Sequence, residues 1–345
     1  MGVEPPAPRS KPEGRSLKKL SIALAVGGLL LSTLLISWFG FGRVIAAVGR
    51  VGWGEFAVII GWQLLLFVPL GLAWDAIVPP RERRYPLVFL WGRTVRDVSC
   101  NLLPFSQIGG FVIGARAVTL HGVSWSLATA STVVDVTAEF LAEVAFTAIG
   151  LGILLSRAPH SNLAVPIEVG LGVAVVAGAA LIWLQRGATP MFARIGGRIA
   201  GRWFGSASER ADVLQRELSQ IYGQPLRLAL SFALHLVGWI GTGMAGWITF
   251  RAVGVPIDFD DALGIEALLS ALAAIAFLVP VNAGVQEAGY AGLGAVFGVP
   301  PELSLAVSIV RRGRDLAVGV PVLLIWQFFE MRRLREASPV PRSGG

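Results

Sequence analysis

One cysteine, Cys100, stands among the 345 residues. That excludes an intramolecular disulfide and any multi-cysteine metal centre, and a lone thiol beside an apolar run reads as packing. Lysine is nearly as scarce, with Lys11, Lys18 and Lys19 set against 26 arginines. Charged residues make up 15% of the chain, where a soluble domain carries about a quarter. The three histidines, His121, His160 and His235, are isolated and form neither an HExxH nor an i, i+4 pair. There is no P-loop and no GxSxG, and the run GRVGWG falls in a loop between apolar segments rather than at a strand-to-helix turn. These absences leave catalytic chemistry without a place. We expect no enzyme, no cofactor and no metal.

What the chain has instead is apolar length. Hydrophobic residues reach 54%, mean hydropathy is +0.68, and several runs attain the roughly 20 residues that cross a bilayer. The expected fold is an all-α integral membrane protein. A net charge of +7 would suggest nucleic acid in a soluble protein. Here the arginines cluster at the ends of apolar runs, which points to topology and anionic lipid and away from nucleic acid.

Six full spans are expected, over about 20–40, 55–78, 124–155, 163–185, 226–251 and 302–328. Two further segments, about 87–121 and 260–297, read as interrupted or re-entrant helix pairs broken at Pro104 and Pro280. Residues 1–16 and 336–345 read as disordered tails around a membrane domain over 17–335. A basic loop covers 186–224, where Met191, Ile195, Ile199 and Trp203 suit a helix on the membrane surface or a connector packed on the bundle. Basic clusters at Lys11–Lys19, Arg81–Arg84, Arg186–Arg216 and Arg332–Arg335 all fall on one side of this layout. By the positive-inside rule both termini are cytoplasmic.

The polar centre of the chain is Asn101–Glu143. It holds Asn101, Gln107 and Arg116, with the helix breakers Pro104, Gly109 and Gly110. Asp135, Glu139 and Glu143 follow at i, i+4, i+8, on one helix face. Ionisable groups at membrane depth are costly, so they face a cavity or a partner. A shift of 176 residues places Pro104 on Pro280, Gly122-Val123 on Gly298-Val299 and Asp135 on Arg311. The second segment offers Gly284, Asn282, Gln286 and Glu287 after Pro280, then Arg311, Arg312, Arg314 and Asp315. The matched long spans cross in opposite directions in this layout, giving an inverted repeat of the kind that forms a midplane site between broken helices. Acids on one repeat and arginines on the other suggest ion pairs across it. Alternatively, the arginines bind a lipid headgroup, or the charges form a structural network.

The runs RTVRDVSCNLLPFSQIGGFVIGARAVTLHGV, VVDVTAEF and VPVNAGVQEAGYAGLGAVFGVPPELSLAVSIVRRGRDLAVGVPVLLIWQ resemble the hopanoid-biosynthesis-associated membrane proteins of the HpnL type. These belong to the flippase-like superfamily that includes the membrane half of lysylphosphatidylglycerol synthases. The resemblance spans roughly 20–330. Its sharpest points are NLLP with the Gly pair, Gly114–Arg116, Gly284–Glu287 and Ser308–Asp315. The chain departs from the pattern at PVNAG, with Asn282, and at Phe111, where an acidic residue is frequent. The lysyl-transferase domain is absent, so that activity is not implied. What the resemblance implies is a bacterial inner-membrane protein that moves hopanoids or related lipids between leaflets or toward export. A non-catalytic scaffold for a lipid-synthesis complex is the alternative, so the expected partners are membrane lipids and possible lipid-biosynthesis or transport proteins.

Overall fold

The computed structural model describes residues 41–79, 86–103, 106–158, 164–187, 207–276 and 282–337. All regular structure among them is α-helical. In chain order the helices are α1 (Phe41–Val48), α2 (Trp53–Ile77), α3 (Pro86–Leu102), α4 (Ser106–Thr119), α5 (Trp125–Arg157), α6 (Ala164–Gly187), α7 (Ala207–Tyr222), α8 (Pro225–Ala252), α9 (Phe259–Ile275), α10 (Val285–Val296) and α11 (Pro301–Ala337). The span expected over 20–40, the tail 1–16, Pro104, Pro280 and the stretch 191–203 lie outside the described residues. Helices α2, α5 and α8 are long and apolar enough to cross a membrane.

Local chemistry fixes the helix starts. Ser124 caps α5, its hydroxyl accepting from the Leu127 amide at 3.2 Å. Pro225 and Pro301 occupy the first positions of α8 and α11, where a missing N–H costs nothing. Gly284 caps α10 at φ 78°, and its amide donates to Glu287 Oε2 at 2.9 Å. Only glycine adopts that backbone without strain.

The order short, short, long occurs twice. Helices α3, α4 and α5 have 17, 14 and 33 residues, and α9, α10 and α11 have 17, 12 and 37. In both units a left-handed glycine, Gly122 or Gly298, turns the chain into the long helix. The first short helix of each unit packs on the long helix of the other. Gly319 of α11 lies against Leu102 and Val98 of α3, and Gly150 of α5 against Ala267 of α9.

Both hairpins stop partway through the bundle. Leu102, the last residue of α3, clusters with Phe67 and Val318, near the middle of α2 and α11. They also open at opposite ends. Val88 and Phe89 of α3 pack with Ile77 and Val78, and Arg333 Nη2 donates to the Leu120 carbonyl after α4 at 2.9 Å. At the other end Arg157 Nε pairs with Asp261 at the start of α9 at 2.9 Å, and Arg43 pairs with Glu302 at the start of α11 at 3.5 Å. The end of α3 packs through Leu102 on α2 and α11, whereas Ile275 at the end of α9 is exposed.

Leu218 and Ile221 of α7 are buried in the cluster of Trp74, Ile77 and Val118. The described end of the 186–224 loop is thus a connector packed on the bundle.

Candidate functional site

The first charged cluster grows from two spacings. Arg93 and Arg96 lie about one helical turn apart on α3, and Asp135 and Glu139 one turn apart on α5. Facing each other, they form a four-cornered lattice. Arg93 Nη1 donates to Asp135 Oδ2 at 3.3 Å and to Glu139 Oε2 at 2.8 Å, and Nη2 reaches Glu139 Oε1. Arg96 donates to Asp135 Oδ2 at 2.7 Å and to Glu139 Oε2 at 2.6 Å. Asp97 accepts from Arg93 Nε at 2.8 Å. From α8, His235 Nε2 lies 3.0 Å from Asp135 Oδ1.

Apolar and aromatic groups seal this lattice. The Arg96 guanidinium sits 5.5 Å from the ring centroids of both Trp74 and Phe111, a contact that strengthens once water is excluded. Trp74 is held in turn by Ser131, whose hydroxyl accepts from Nε1 at 3.0 Å. Close approach of α4 makes this possible, since a Cβ at Gly114 would strike the Arg96 side chain and one at Gly110 would strike Cys100. Arg93 and Arg96 are 2% and 1% exposed, and Asp135 and His235 are fully buried. The side chains of Asp97 and Glu139 keep 18% and 23% of their surface. The cluster has one open edge, and it is acidic.

The second cluster joins α9, α10 and α11. Arg311 Nη1 donates to Glu266 Oε2 and contacts the Tyr290 hydroxyl, which bonds Glu266 Oε1. Beside it, Glu287 accepts from Arg312 Nε at 2.6 Å, from Arg312 Nη2 at 3.1 Å and from the Ser308 hydroxyl at 3.3 Å. Gln286 Nε2 donates to Ser308 Oγ at 2.9 Å. Arg314 turns to its neighbour Asp315 at 2.6 Å. Both charges of each buried pair are compensated, since a buried charge stripped of its partner would cost several kcal/mol.

Among the described residues the ion pairs expected between Asp135 or Glu139 and the arginines of the second unit do not form, although Arg116 and Arg157 of the first unit pair with Glu330 and Asp261 of the second. Asp135 and Glu139 pair with arginines of their own unit rather than with Arg311 or Arg314, because α3 brings Arg93 and Arg96 within reach first. Gln286, Glu287 and Arg312 meet, and Arg311 lies beside them on α11. Asn282 is half-buried in a left-handed conformation, φ 49°. Asn101 is exposed at the end of α3. Gln107 lies in the first turn of α4, and its side chain is outside the described residues. Arg116 stands apart, forked onto Glu330 of α11 through Nε at 3.0 Å and Nη2 at 3.0 Å, with Trp125 5.9 Å away.

Sequence reasoning passed over several members. Arg93, Arg96 and Asp97 stand as charges within the 87–121 segment, with Arg93 and Arg96 at i, i+3 and Asp135 and Glu139 at i, i+4, each about one helical turn apart. Glu266 was visible as a lone acid in an apolar helix. His235 and Tyr290 gave no local signal. No group of three or more potential metal ligands occurs among the described residues.

No solved structure matches the chain. A UPF0104 membrane protein of Methanothermobacter thermautotrophicus is 26% identical over 303 residues, covering 82% of this chain and 86% of that protein. Residues 22–322 match the family described as the lysylphosphatidylglycerol synthase transmembrane region. That interval takes in both hairpins and both charged clusters, and the chain belongs to this family.

Proposed function

We propose that this protein moves a lipid across or out of the membrane by way of its two half-length hairpins, without catalysing a reaction. The observation that carries the reading is the opposed pair of hairpins. Each is built of half-length helices, and each belongs to a unit that holds a buried ionic cluster with a polar edge. Asp97 and Glu139 supply one edge. Arg312 and Asp315, with 28% and 25% of their side-chain surface accessible, supply the other. A lipid has a polar head and an apolar tail, so a carrier needs charged groups at depth that stay compensated while empty. Hopanoids or related bacterial lipids are the proposed cargo, by resemblance. The proposed setting is the bacterial inner membrane with both termini cytoplasmic.

The test is leaflet exchange in proteoliposomes carrying a fluorescent phospholipid or a labelled hopanoid, with native protein and with Asp135→Asn, Glu139→Gln. Exchange above empty vesicles that is lost in the double variant supports the reading. Absence of exchange for every lipid, with membrane lipid distribution in cells unchanged by deletion, would defeat it. The scaffold reading draws on α7, which packs on the bundle while exposing Arg216, Ser219 and Gln220. Under that reading substitutions there remove function and the double variant does not.

A further inference from the structure

We propose that the α3–α5–α8 cluster is a binding site for one exchangeable proton, delivered through Glu143 to Glu139 and shared inward with the Asp135–His235 pair. The argument starts from charge balance. In the second cluster Glu266, Glu287 and Asp315 face Arg311, Arg312 and Arg314, so acids and guanidinium groups are equal in number. In the first, Asp97, Asp135 and Glu139 face only Arg93 and Arg96. Glu143 follows one turn beyond Glu139 on the same face, half-buried. Among the described residues it has no hydrogen-bond or ion-pair partner. Buried carboxylates in excess of their cations are expensive, and a proton is the smallest charge that corrects the excess.

Among the described residues the neighbouring elements place no further cation in the cluster, and Arg216 of α7 is exposed. Helix α2 contributes Trp74 and the acid Asp75, α4 contributes Phe111, and the Arg116 of α4 is taken up by Glu330. Among the described side chains of α6 and α9, Glu168 is exposed, Asp260 and Asp261 stand in the first turn of α9 with Asp261 paired to Arg157, and Glu266 is committed to Arg311. Cys100 carries no charge as a thiol. A second observation points to the proton directly. His235 is fully buried with Nε2 on Asp135, while its Nδ1 meets neither donor nor acceptor. That nitrogen is a basic group held at depth with capacity for one proton.

The step balances simply. In this step a proton on Glu143 passes to Glu139 and hydronium from the bulk phase reprotonates Glu143, leaving water, so one O–H bond forms at Glu139 as another is broken and restored at Glu143. Glu139 then loses its charge, leaving Asp97 and Asp135 against Arg93 and Arg96, two against two. Its bonds to both guanidinium groups weaken, because charge-assisted hydrogen bonds are about twice as strong as neutral ones. The tie between α3 and α5 loosens as the proton arrives. Proton binding is a property of the cluster and does not depend on what the protein carries.

The experiment is infrared difference spectroscopy of the purified protein in phosphatidylcholine–phosphatidylglycerol nanodiscs, titrated from alkaline to acidic buffer. A protonated-carboxyl band that is missing from the Glu139→Gln and Glu143→Gln proteins should appear in the native protein as the buffer is acidified. Glu139→Gln and Glu143→Gln should each remove it, His235→Ala should move its midpoint, and Glu266→Gln should leave it in place. A native protein whose carboxyl bands match those of Glu139→Gln and Glu143→Gln throughout the titration overturns the proposal. Should Glu139→Gln fail to fold, Glu143→Gln decides, because that side chain holds no partner in place. No lipid movement is read, so this result and the leaflet-exchange result fail separately.

Discussion

Arg93 and Glu266 occupy the same place in the two repeated units with opposite charge. Each is the eighth residue of a 17-residue helix. Each bonds the eleventh residue of the long helix that closes its unit, Asp135 in one case and Arg311 in the other. The position is preserved while the polarity is exchanged, which fits a requirement for a buried tie rather than for a given sign. Breaking one side of such a tie leaves an uncompensated buried charge, at a cost of about 3–5 kcal/mol. Glu266→Arg and Arg311→Glu should each lower the unfolding midpoint in detergent sharply. The double reversal should recover much of the loss, measured as a coupling energy in a double-mutant cycle. Strictly additive losses would show that the pair contributes no tie.

Gly122 and Gly298 make the same turn 176 positions apart, at φ 92° and 76°. A Cβ at either position would meet nothing within 4 Å. The penalty of a side chain there is therefore backbone strain alone, about 1–2 kcal/mol for most residues. Gly122→Ala and Gly298→Ala should each reduce thermal stability by a similar amount, and Gly122→Asn by less. A silent Gly298→Ala beside a damaging Gly122→Ala would mean the two turns are not equivalent.

Gly109 and Gly114 give opposite expectations for the same change. A Cβ at Gly109 meets nothing within 4 Å, whereas one at Gly114 would strike Arg96 and approach the Gly92 carbonyl at 3.1 Å. Gly109→Ala should stabilise α4 slightly, since alanine is favoured in a helix by roughly 1 kcal/mol. Gly114→Ala should destabilise by about 1–3 kcal/mol through overpacking and push Arg96 off Asp135. Thermal unfolding of the two variants in one detergent distinguishes them.

Much of this architecture is legible in the sequence, because apolar length and proline or glycine punctuation act locally. Helices α2, α5 and α8 fall on three of the six expected spans and are long and apolar enough to cross a membrane, helix ends flank both interruptions, and each Gly-Val pair stands before a long helix as expected. The pairing of charges is not local. Asp135 and Glu139 read as a stripe on one face, but nothing in the chain says whether α3 or α11 faces that stripe. The one-turn spacing of Arg93 and Arg96 was the available hint. Phe111 shows the limit from the other side. Where the family often has an acid this chain has a ring, and only the packing of α4 reveals that the ring lies over Arg96.

The last prediction is topological. Contacts sort the chain ends into two groups without reference to a membrane. Arg157 meets Asp261, Arg43 meets Glu302, and Arg50 reaches Gly254, so these gather at one end of the bundle. At the other end, Arg227 Nη1 donates to the Val78 carbonyl at 3.0 Å and Arg333 to that of Leu120 at 2.9 Å. The basic clusters at Arg81–Arg84 and Arg332–Arg335 adjoin the second group in sequence, and the positive-inside rule assigns them to the cytoplasm. Reporter fusions after Arg50, Ala158 and Val255 should therefore read periplasmic, and fusions at Arg84 and Ser206 cytoplasmic. The hairpin α3–α4 then opens toward the cytoplasm and α9–α10 toward the periplasm, the geometry alternating access requires of an inverted repeat. A periplasmic reading at Ser206 would place α5 and α8 in the wrong orientation. Matching readings at Arg84 and Val255 would put both hairpins on one side and remove the opposed access on which the proposed transport depends.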